Sequence, residues 1–417
     1  MPNNQYDSPI ILAPADMRSA LAIGRSFARH RISFIPAVTD VKHFACFSRY
    51  FRRRLVKVAN PRSEPDKFAD QILSMAEAQG AAGILPVTDA AVGAMNAVRD
   101  RLQSSVCLLA PESKASDAVL DKDKNIRIAG ELGIPIPRTI EVESSEGFEA
   151  AADELGYPVV LKRISQQQVI PAEISDFTVE VARDANELRK IISRLTKYGV
   201  VPQIQKFVVG ETHNICCFAT RGEIVAAHEY VSFRRGKHEG IARKIVELDS
   251  TRMAYAKQML GAIKWEGVAG VTFLVDEDQG KTWYLETNGR FWASVQGSVN
   301  AGWDFPYWAY RYFLYGEMPT PPPISSDPKI TCYHTADLAV LVNFLLGGPS
   351  PIMVGELKPM SAIWQYLRAF GPGYQADVFQ WNDPMPAVVD HGALAVRAWN
   401  RIVRGFRNRG RRSIPEV

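Results

Sequence analysis

Cysteine is scarce in this sequence, and its few cysteines form no recognisable pattern. The 417 residues contain five of them, Cys46, Cys107, Cys216, Cys217 and Cys332. An odd number with no C-x-x-C spacing disfavours both a disulfide framework and a zinc site. We therefore expect a protein of the reducing cytoplasm.

The sequence also lacks a charge excess, a long apolar run and a secretory signal. It has 49 basic and 45 acidic side chains, and the net charge of +4 is too balanced to indicate nucleic-acid binding. The longest apolar stretch, residues 338–346, contains Asn343 and is well short of the roughly 18 residues that cross a bilayer. No basic region precedes an apolar run at the N-terminus. With 47% hydrophobic residues, a globular protein of two or three domains is expected.

The N-terminal pattern predicts a parallel α/β sheet. Apolar runs at residues 9–14 and 32–38 are typical of buried strands, and an amphipathic helix is predicted between them. No G-x-G-x-x-G follows the first strand, so a dinucleotide site is not supported. A later strand, residues 83–87, ends just before Asp89. This aspartate either faces a substrate or caps the following helix, and we favour the cap.

Three polar groups converge at the end of another predicted strand. Residues 283–288, WYLETN, alternate aromatic or branched side chains with polar ones, as strands do. Because strand side chains repeat every two residues, Glu286 and Asn288 leave one face about 7 Å apart, and Arg290 follows. Carboxylate and amide oxygens suit Mg²⁺, and arginine binds phosphate or carboxylate. The alternative is an edge strand whose polar residues merely face water.

Two neighbouring motifs carry a family resemblance. Residues 286–292, ETNGRFW, and 301–306, AGWDFP, resemble the E-x-N-x-R-F-W and A-G-x-D-F-P signature of the ATP-grasp superfamily. They are most similar to its carbamoyl-phosphate-synthase-like, or carboxylate–amine ligase, branch. The resemblance covers about residues 1–315. It implies an α/β (α+β ATP-grasp) protein in which a doubly wound pre-ATP-grasp domain precedes a two-lobed ATP-grasp fold. The implied domains are residues 1–112, then 113–318 with lobes at about 113–200 and 201–318, then a Pro-rich linker and helical C-terminal extension at 319–417.

The resemblance also assigns two lysines to the nucleotide phosphates. Lys122 follows an aspartate eleven residues before Gly133, as the family's phosphate-binding lysine does, although Lys124 is a near neighbour. Lys162 ends a run, GYPVVLK, that matches the family's G-Y-P-V-x-x-K. With Arg290, Lys162 is implied to be catalytic. The sequence then departs from the family, because residues 163–168 contain no glycine where relatives have a glycine-rich loop over the phosphates.

Residues 202–210 resemble the hinge that receives adenine in the family. Gln205 stands where a glutamate is usual, and its amide can still accept from the adenine amino group. Backbone groups of Lys206 and Val208 are implied to contact the rest of the ring edge, with Phe207 packing nearby.

The ribose and metal ligands are less clear in this sequence. The family's ribose ligand falls on Thr212 or His213, with Glu211 also close, and the register leaves these open. The first Mg²⁺ ligand of relatives is a glutamate where this chain has Thr272, whose hydroxyl or bound water can still coordinate. We therefore expect a weakened metal site formed by Thr272, Glu286 and Asn288.

Two basic segments have alternative interpretations. Residues 232–244 read as a basic, glycine-punctuated loop that either lies over an acceptor site, where its cations suit an acidic substrate, or is simply solvated. A predicted helix at residues 395–407 has apolar and arginine-rich faces. It docks onto its own domain or, less favoured, contacts an anionic membrane surface.

The function implied by the resemblance is ATP-dependent ligation. A substrate carboxylate would be phosphorylated by ATP with Mg²⁺, or Mn²⁺ as an alternative, and the acyl-phosphate would react with an amine to give an amide. Partners would be small-molecule carboxylates and amines without nucleic acid, and a homodimer is a further alternative. Two rivals remain: a bicarbonate-phosphorylating enzyme like carbamoyl-phosphate synthase, and a non-catalytic ATP-binding regulatory protein. Substrate identity is beyond the sequence.

Overall fold

The computed structural model describes residues 8–142, 144, 147–162, 174, 177, 179–236, 240–323, 329–347 and 357–397. Its N-terminal part is a five-stranded parallel sheet in the order β3-β2-β1-β4-β5, flanked by helices. Short apolar runs such as IILA and GILP are fully buried, as expected for parallel strands covered on both faces. The predicted doubly wound domain is confirmed. Its elements are β1 (Ile10–Ala13), α1 (Arg18–Arg29), β2 (Phe34–Val38), β3 (Val56–Lys57), α2 (Pro65–Ala78), β4 (Gly83–Pro86), α3 (Asp89–Asn96) and β5 (Cys107–Leu108).

The next part is a four-stranded antiparallel sheet in the order β6-β9-β7-β8, preceded by two consecutive helices. The second of these helices begins at Lys122, and the side chain of Asp121 caps it by accepting a hydrogen bond from the Lys124 N–H. The elements of this lobe are α4 (Ser113–Leu120), α5 (Lys122–Glu131), β6 (Thr139–Ile140), α6 (Gly147–Leu155), β7 (Val159–Lys162), β8 (Val179–Ala182), α7 (Ala185–Thr196) and β9 (Gln203–Lys206).

The C-terminal part is built on a seven-stranded sheet in the order β14-β13-β10-β11-β12-β15-β16. One face of this sheet packs on α5 and α8, where Trp265, Phe273 and Tyr284 are completely buried. The elements are β10 (Glu211–Thr220), β11 (Glu223–Arg235), β12 (Gly240–Val246), α8 (Ser250–Ala262), β13 (Gly267–Asp276), β14 (Lys281–Asn288), α9 (Val295–Asn300), α10 (Phe305–Tyr315), β15 (Ile330–Cys332), α11 (His334–Leu345), α12 (Pro359–Arg368) and β16 (Tyr374–Ala376).

The segment after residue 329 differs from the predicted helical extension. It contributes two strands, β15 and β16, to the large sheet, and its helices pack beside them. Asp383 then reaches the N-terminal domain, where it pairs with Arg25 at 3.0 Å. Residues 385–397 are helical, and the remainder of the predicted basic helix lies outside the described residues. Within the described part of the chain, no helix combines the length and apolarity needed to span a bilayer.

Candidate active site

The end of β14 meets the start of α5. Lys122 Nζ lies 2.9 Å from Glu286 Oε2, although 160 or so residues of chain are folded between them. The lysine side chain is nearly buried, at 10% exposure, whereas the carboxylate is 38% exposed. The pair therefore has one buried partner and one that opens towards a cleft.

Lys162, the last residue of β7, brings a second cation to the same place. Burial lowers its pKa to about 8, the charge of Glu286 opposes that shift, and the charge of Lys122 adds to it. Lys162 is therefore within electrostatic range of the Lys122–Glu286 pair. Lys122 makes the direct ion pair with the carboxylate, and Lys162 adds a second positive charge in its vicinity.

The carboxylate of Glu286 is held in its charged form. Burial alone would raise its pKa, but the charge of Lys122, hydrogen bonds from Asn288 and Lys122, and the charge of Lys162 lower it to about 2. Asn288 Nδ2 donates to Glu286 Oε1 at 2.9 Å. Glu286 and Asn288 therefore lie side by side on one face of the strand, as predicted.

Thr272 stands directly opposite Glu286 in the β13–β14 ladder. Its hydroxyl donates to Asn214 Oδ1 at 2.8 Å, and Asn214 is its cross-strand partner on β10. Sequence reasoning missed Asn214 because only the strand register, and no motif, places it beside Thr272. A hydroxyl and an amide thus line the sheet next to the acidic group.

Arg290 joins this site to the N-terminal domain. Its Nε lies 3.1 Å from Asp89 Oδ2, and the charge of Asp89 raises the pKa of the guanidinium. The favoured prediction that Asp89 caps α3 is wrong. Thr88 is the cap, since its side chain accepts a hydrogen bond from the Ala91 N–H. Asp89, one residue further on, faces the site instead.

The segment predicted to be the adenine-binding hinge comprises the end of β9 and the residues that lead to β10. Gln205 is buried in β9 and donates from Nε2 to Thr139 Oγ1 at 2.9 Å, which leaves its oxygen as the acceptor. The N–H of Lys206 donates to the Arg138 carbonyl at 2.8 Å. Phe207 and Val208 follow outside any strand and are partly exposed.

The strand register separates the three ribose candidates. Because neighbours on a strand point to opposite faces, Thr212 shares the face of Asn214 and Thr272, whereas Glu211 and His213 point to the other face. His213 Nδ1 lies 2.6 Å from the buried Glu229 carboxylate there. Glu211 and His213 therefore do not join the Lys122–Glu286 cluster. Thr212 does share its face, and its buried Oγ1 has no hydrogen-bond partner among the described residues.

The basic segment at residues 232–244 is largely strand and not a loop, within the residues described. Arg234 is buried in β11 and pairs with Asp337 at 2.6 Å. Arg243 is buried in β12 and pairs with Asp377 at 3.3 Å. Both interpretations of this segment as a loop are therefore corrected, since these two cations are neutralised inside the fold.

Comparisons with known proteins agree with this architecture, although no family model matches the chain. The chain is 25% identical over 193 residues to a D-alanine–D-alanine ligase of Carboxydothermus hydrogenoformans, covering 42% of this chain and 60% of that protein. It is 22% identical over 294 residues to the C-terminal section of a carbamoyl phosphate synthase large chain of Methanopyrus kandleri, covering 65% and 52%. The chain thus spans between half and two thirds of the curated relatives it matches.

A solved structure resembles the fold over a larger share of the chain. Biotin carboxylase of Campylobacter jejuni, solved as a β-γ-ATP complex, superposes with a TM-score of 0.60 at 18% identity, covering 76% of this chain and 73% of that one. The parallel N-terminal domain, the four-stranded lobe and the large mainly antiparallel sheet match the ATP-grasp fold of that structure. The sequence relatives and the solved structure all point to the ATP-grasp superfamily.

Proposed function

We propose that the protein is an ATP-dependent carboxylate–amine ligase. The observation that carries this is the 2.9 Å ion pair between Lys122 and Glu286 from separate segments, with Lys162 within electrostatic range of it. Two lysines and one charged carboxylate form a site whose cations can hold phosphate oxygens and whose anion can hold a divalent metal. The named activities of the two sequence relatives, a ligase and a carbamoyl phosphate synthase, support ATP-dependent chemistry of this kind.

The chain's own groups fit a magnesium-bound nucleotide. Thr212 offers a buried hydroxyl oxygen with no partner within the described residues, which suits a ribose hydroxyl. We assign the Gln205 amide oxygen to the adenine amino group, and the backbone groups of Lys206 and Val208 to the rest of the ring edge. Glu286, Asn288 and Thr272 would hold the metal, which when bound neutralises phosphate charge. We assign Thr212, and not Glu211 or His213, to the ribose.

In the proposed reaction, a carboxylate oxygen attacks the γ-phosphorus and ADP leaves. The amine nitrogen then attacks the acyl carbon, phosphate leaves, and the nitrogen loses a proton. Lys162 and Arg290 would stabilise the charge that develops on the phosphoryl and acyl oxygens, and Asp89 holds Arg290 in place. No enzyme nucleophile is needed, which agrees with the burial of most of the cysteines.

The test of this proposal is ADP release with purified protein and Mg-ATP across a panel of carboxylates and amines. Turnover that requires one acid and one amine supports the ligase. Turnover with bicarbonate alone would replace it with a carbamoyl-phosphate-synthase-like reaction. Tight ATP binding without any turnover would replace it with a non-catalytic ATP-binding regulatory protein.

The pKa of Lys162 predicts how ATP affinity depends on pH. With a pKa of about 8 in the free protein, the lysine is charged below pH 8 and loses its proton above it. The affinity for Mg-ATP is therefore expected to be constant below pH 8, and to fall by up to about tenfold per pH unit above pH 8. Titration calorimetry from pH 6.5 to about 9.5 measures this. Lys162→Arg keeps its charge throughout, so its affinity should not fall in that window; an unchanged decline in this variant would show that another group titrates.

Thr272 predicts a weak metal site that a single substitution should strengthen. Because Thr272 stands opposite Glu286, Thr272→Glu adds a second carboxylate at the metal position. The Mg²⁺ concentration for half-maximal ADP release is expected to fall by about tenfold. Thr272→Gln, of the same size without the charge, is the control and should not lower it. Equal Mg²⁺ dependence in the Glu variant and the original chain would contradict the assignment of Thr272 to the metal.

A further inference from the structure

A second group of possible metal ligands lies on the other face of the large sheet. One ligand atom each from Glu211, His213 and Glu277 lies within 4.8 Å of the others. Glu211 and His213 are two residues apart on β10 and so share a face. Glu277 follows the end of β13, two residues after Val275, which is the ladder partner of Glu211. The group therefore joins the first residue of β10 to the β13–β14 turn.

The hydrogen bonding of His213 leaves one of its ring nitrogens as a candidate metal ligand. His213 is 5% exposed, and its Nδ1 lies 2.6 Å from Glu229 Oε1. Glu229 is itself fully buried and accepts hydrogen bonds from Arg252 Nε and the Asp249 N–H, so it is a charged acceptor and Nδ1 must be the donor. The remaining nitrogen, Nε2, is buried without a hydrogen-bond partner within the described residues. Metal-binding histidines usually donate their other ring N–H to a carboxylate in this way, which fixes the tautomer and the orientation of the ring.

The local charge also favours a cation. Arg252 neutralises Glu229, but no ion pair within the described part of the chain involves Glu211 or Glu277. Two carboxylates without a counter-charge thus face one buried imidazole nitrogen. Imidazole and carboxylate together suit Zn²⁺ and similar first-row metals better than Mg²⁺, which prefers oxygen ligands only.

From this arrangement we propose that Glu211, His213 and Glu277 bind one divalent transition-metal ion of the Zn²⁺ class, separate from the nucleotide site. Three protein ligands leave a position open for water. No cysteine takes part, so the absence of C-x-x-C spacing does not bear on this site. The backbone before β10 and the end of β13, which the ion would join, are already in close contact. A Cβ atom added at Gly210 would lie only 2.5 Å from the Val275 carbonyl oxygen. Bound metal would therefore fasten the hinge end of β10 to the β13–β14 turn.

The experiment uses the full-length, metal-free protein and Co²⁺ as a visible probe. We expect one Co²⁺ per chain with d–d absorption bands, displaced by Zn²⁺, and a higher melting temperature that a chelator reverses. Glu277→Gln should raise the Kd for Co²⁺ by at least about tenfold. Because Glu277 is exposed, this variant should fold normally. Asp278→Asn, one residue away in the same exposed turn, is the matched control and should leave the Kd unchanged.

A third variant separates this site from the nucleotide site. Glu286→Gln should retain the Co²⁺ bands if the ion binds at His213. The proposal is overturned if no saturable Co²⁺ uptake occurs, if Glu277→Gln binds as tightly as the original chain, or if Glu286→Gln and not Glu277→Gln loses the bands. None of these readouts depends on ligase activity, so the site can fail while the proposed function holds.

Discussion

Replacing Glu286 with glutamine is expected to lower kcat for ATP-dependent ligation by about a thousandfold. Glutamine keeps the size and the hydrogen bond with Asn288 but removes the negative charge. Lys122 and Lys162 then repel one another without the anion between them, and the metal loses its one carboxylate at this position. The loss should be in kcat more than in KM for ATP, because the hinge and Thr212 still hold the base and sugar. Steady-state ADP release at saturating substrates measures it.

Stability must be checked in this variant, because Lys122 is buried and loses its partner. Circular dichroism and the melting temperature establish whether the fold is intact. Glu223→Gln, at the exposed first residue of β11, is the matched control and should keep full activity. If a folded Glu286→Gln enzyme retained even a tenth of its activity, the central role of this carboxylate would be wrong.

Much of this site could be predicted because its signals are local. Glu286 and Asn288 share a face because of the two-residue repeat of a strand, and β14 has that form. Asp121 precedes Lys122 in an N-cap sequence, so the start of α5, and with it the position of the lysine, follows from neighbouring residues. A lysine ending an apolar strand also indicates a partner, since burying an unpaired charge is costly. The proximity of all three segments came from the family resemblance and not from these patterns.

The predictions that failed all required knowledge of distant partners. Arg234 and Arg243 lie in a basic, glycine-containing segment that resembles a solvated loop, and only Asp337 and Asp377, more than 90 residues away, make it possible to bury them. Aspartate is a common N-cap residue, but Asp89 forms an ion pair with Arg290 instead. His213 and Thr212 differ by one residue, and only the pairing with β13 determines which of them faces the nucleotide cleft.

Asp383 shows how the C-terminal segment is integrated into the fold. Its carboxylate is almost fully buried, and it accepts hydrogen bonds from Arg25 Nε at 3.0 Å, Ser48 Oγ at 2.8 Å and the Arg49 N–H at 2.9 Å. All three donors belong to the N-terminal domain, more than 330 residues earlier in the chain. Burial lowers the pKa of the Arg25 guanidinium, and the charge of Asp383 opposes that shift. The pair is therefore buried where the C-terminal segment meets the N-terminal domain.

Asp383→Ala is accordingly expected to lower the free energy of unfolding by about 3 to 5 kcal/mol, because it leaves the Arg25 charge buried and unpaired. Chemical denaturation followed by circular dichroism measures the loss. Asp383→Leu combined with Arg25→Met removes both charges, so the double variant should be less destabilised than the sum of the single replacements. Asp100→Ala, at an exposed aspartate, should change stability by less than about 0.5 kcal/mol. The contact does not hold the C-terminal segment in place if each single replacement, at Asp383 and at Arg25, lowers the free energy of unfolding by less than about 1 kcal/mol and the two losses simply add in the double variant.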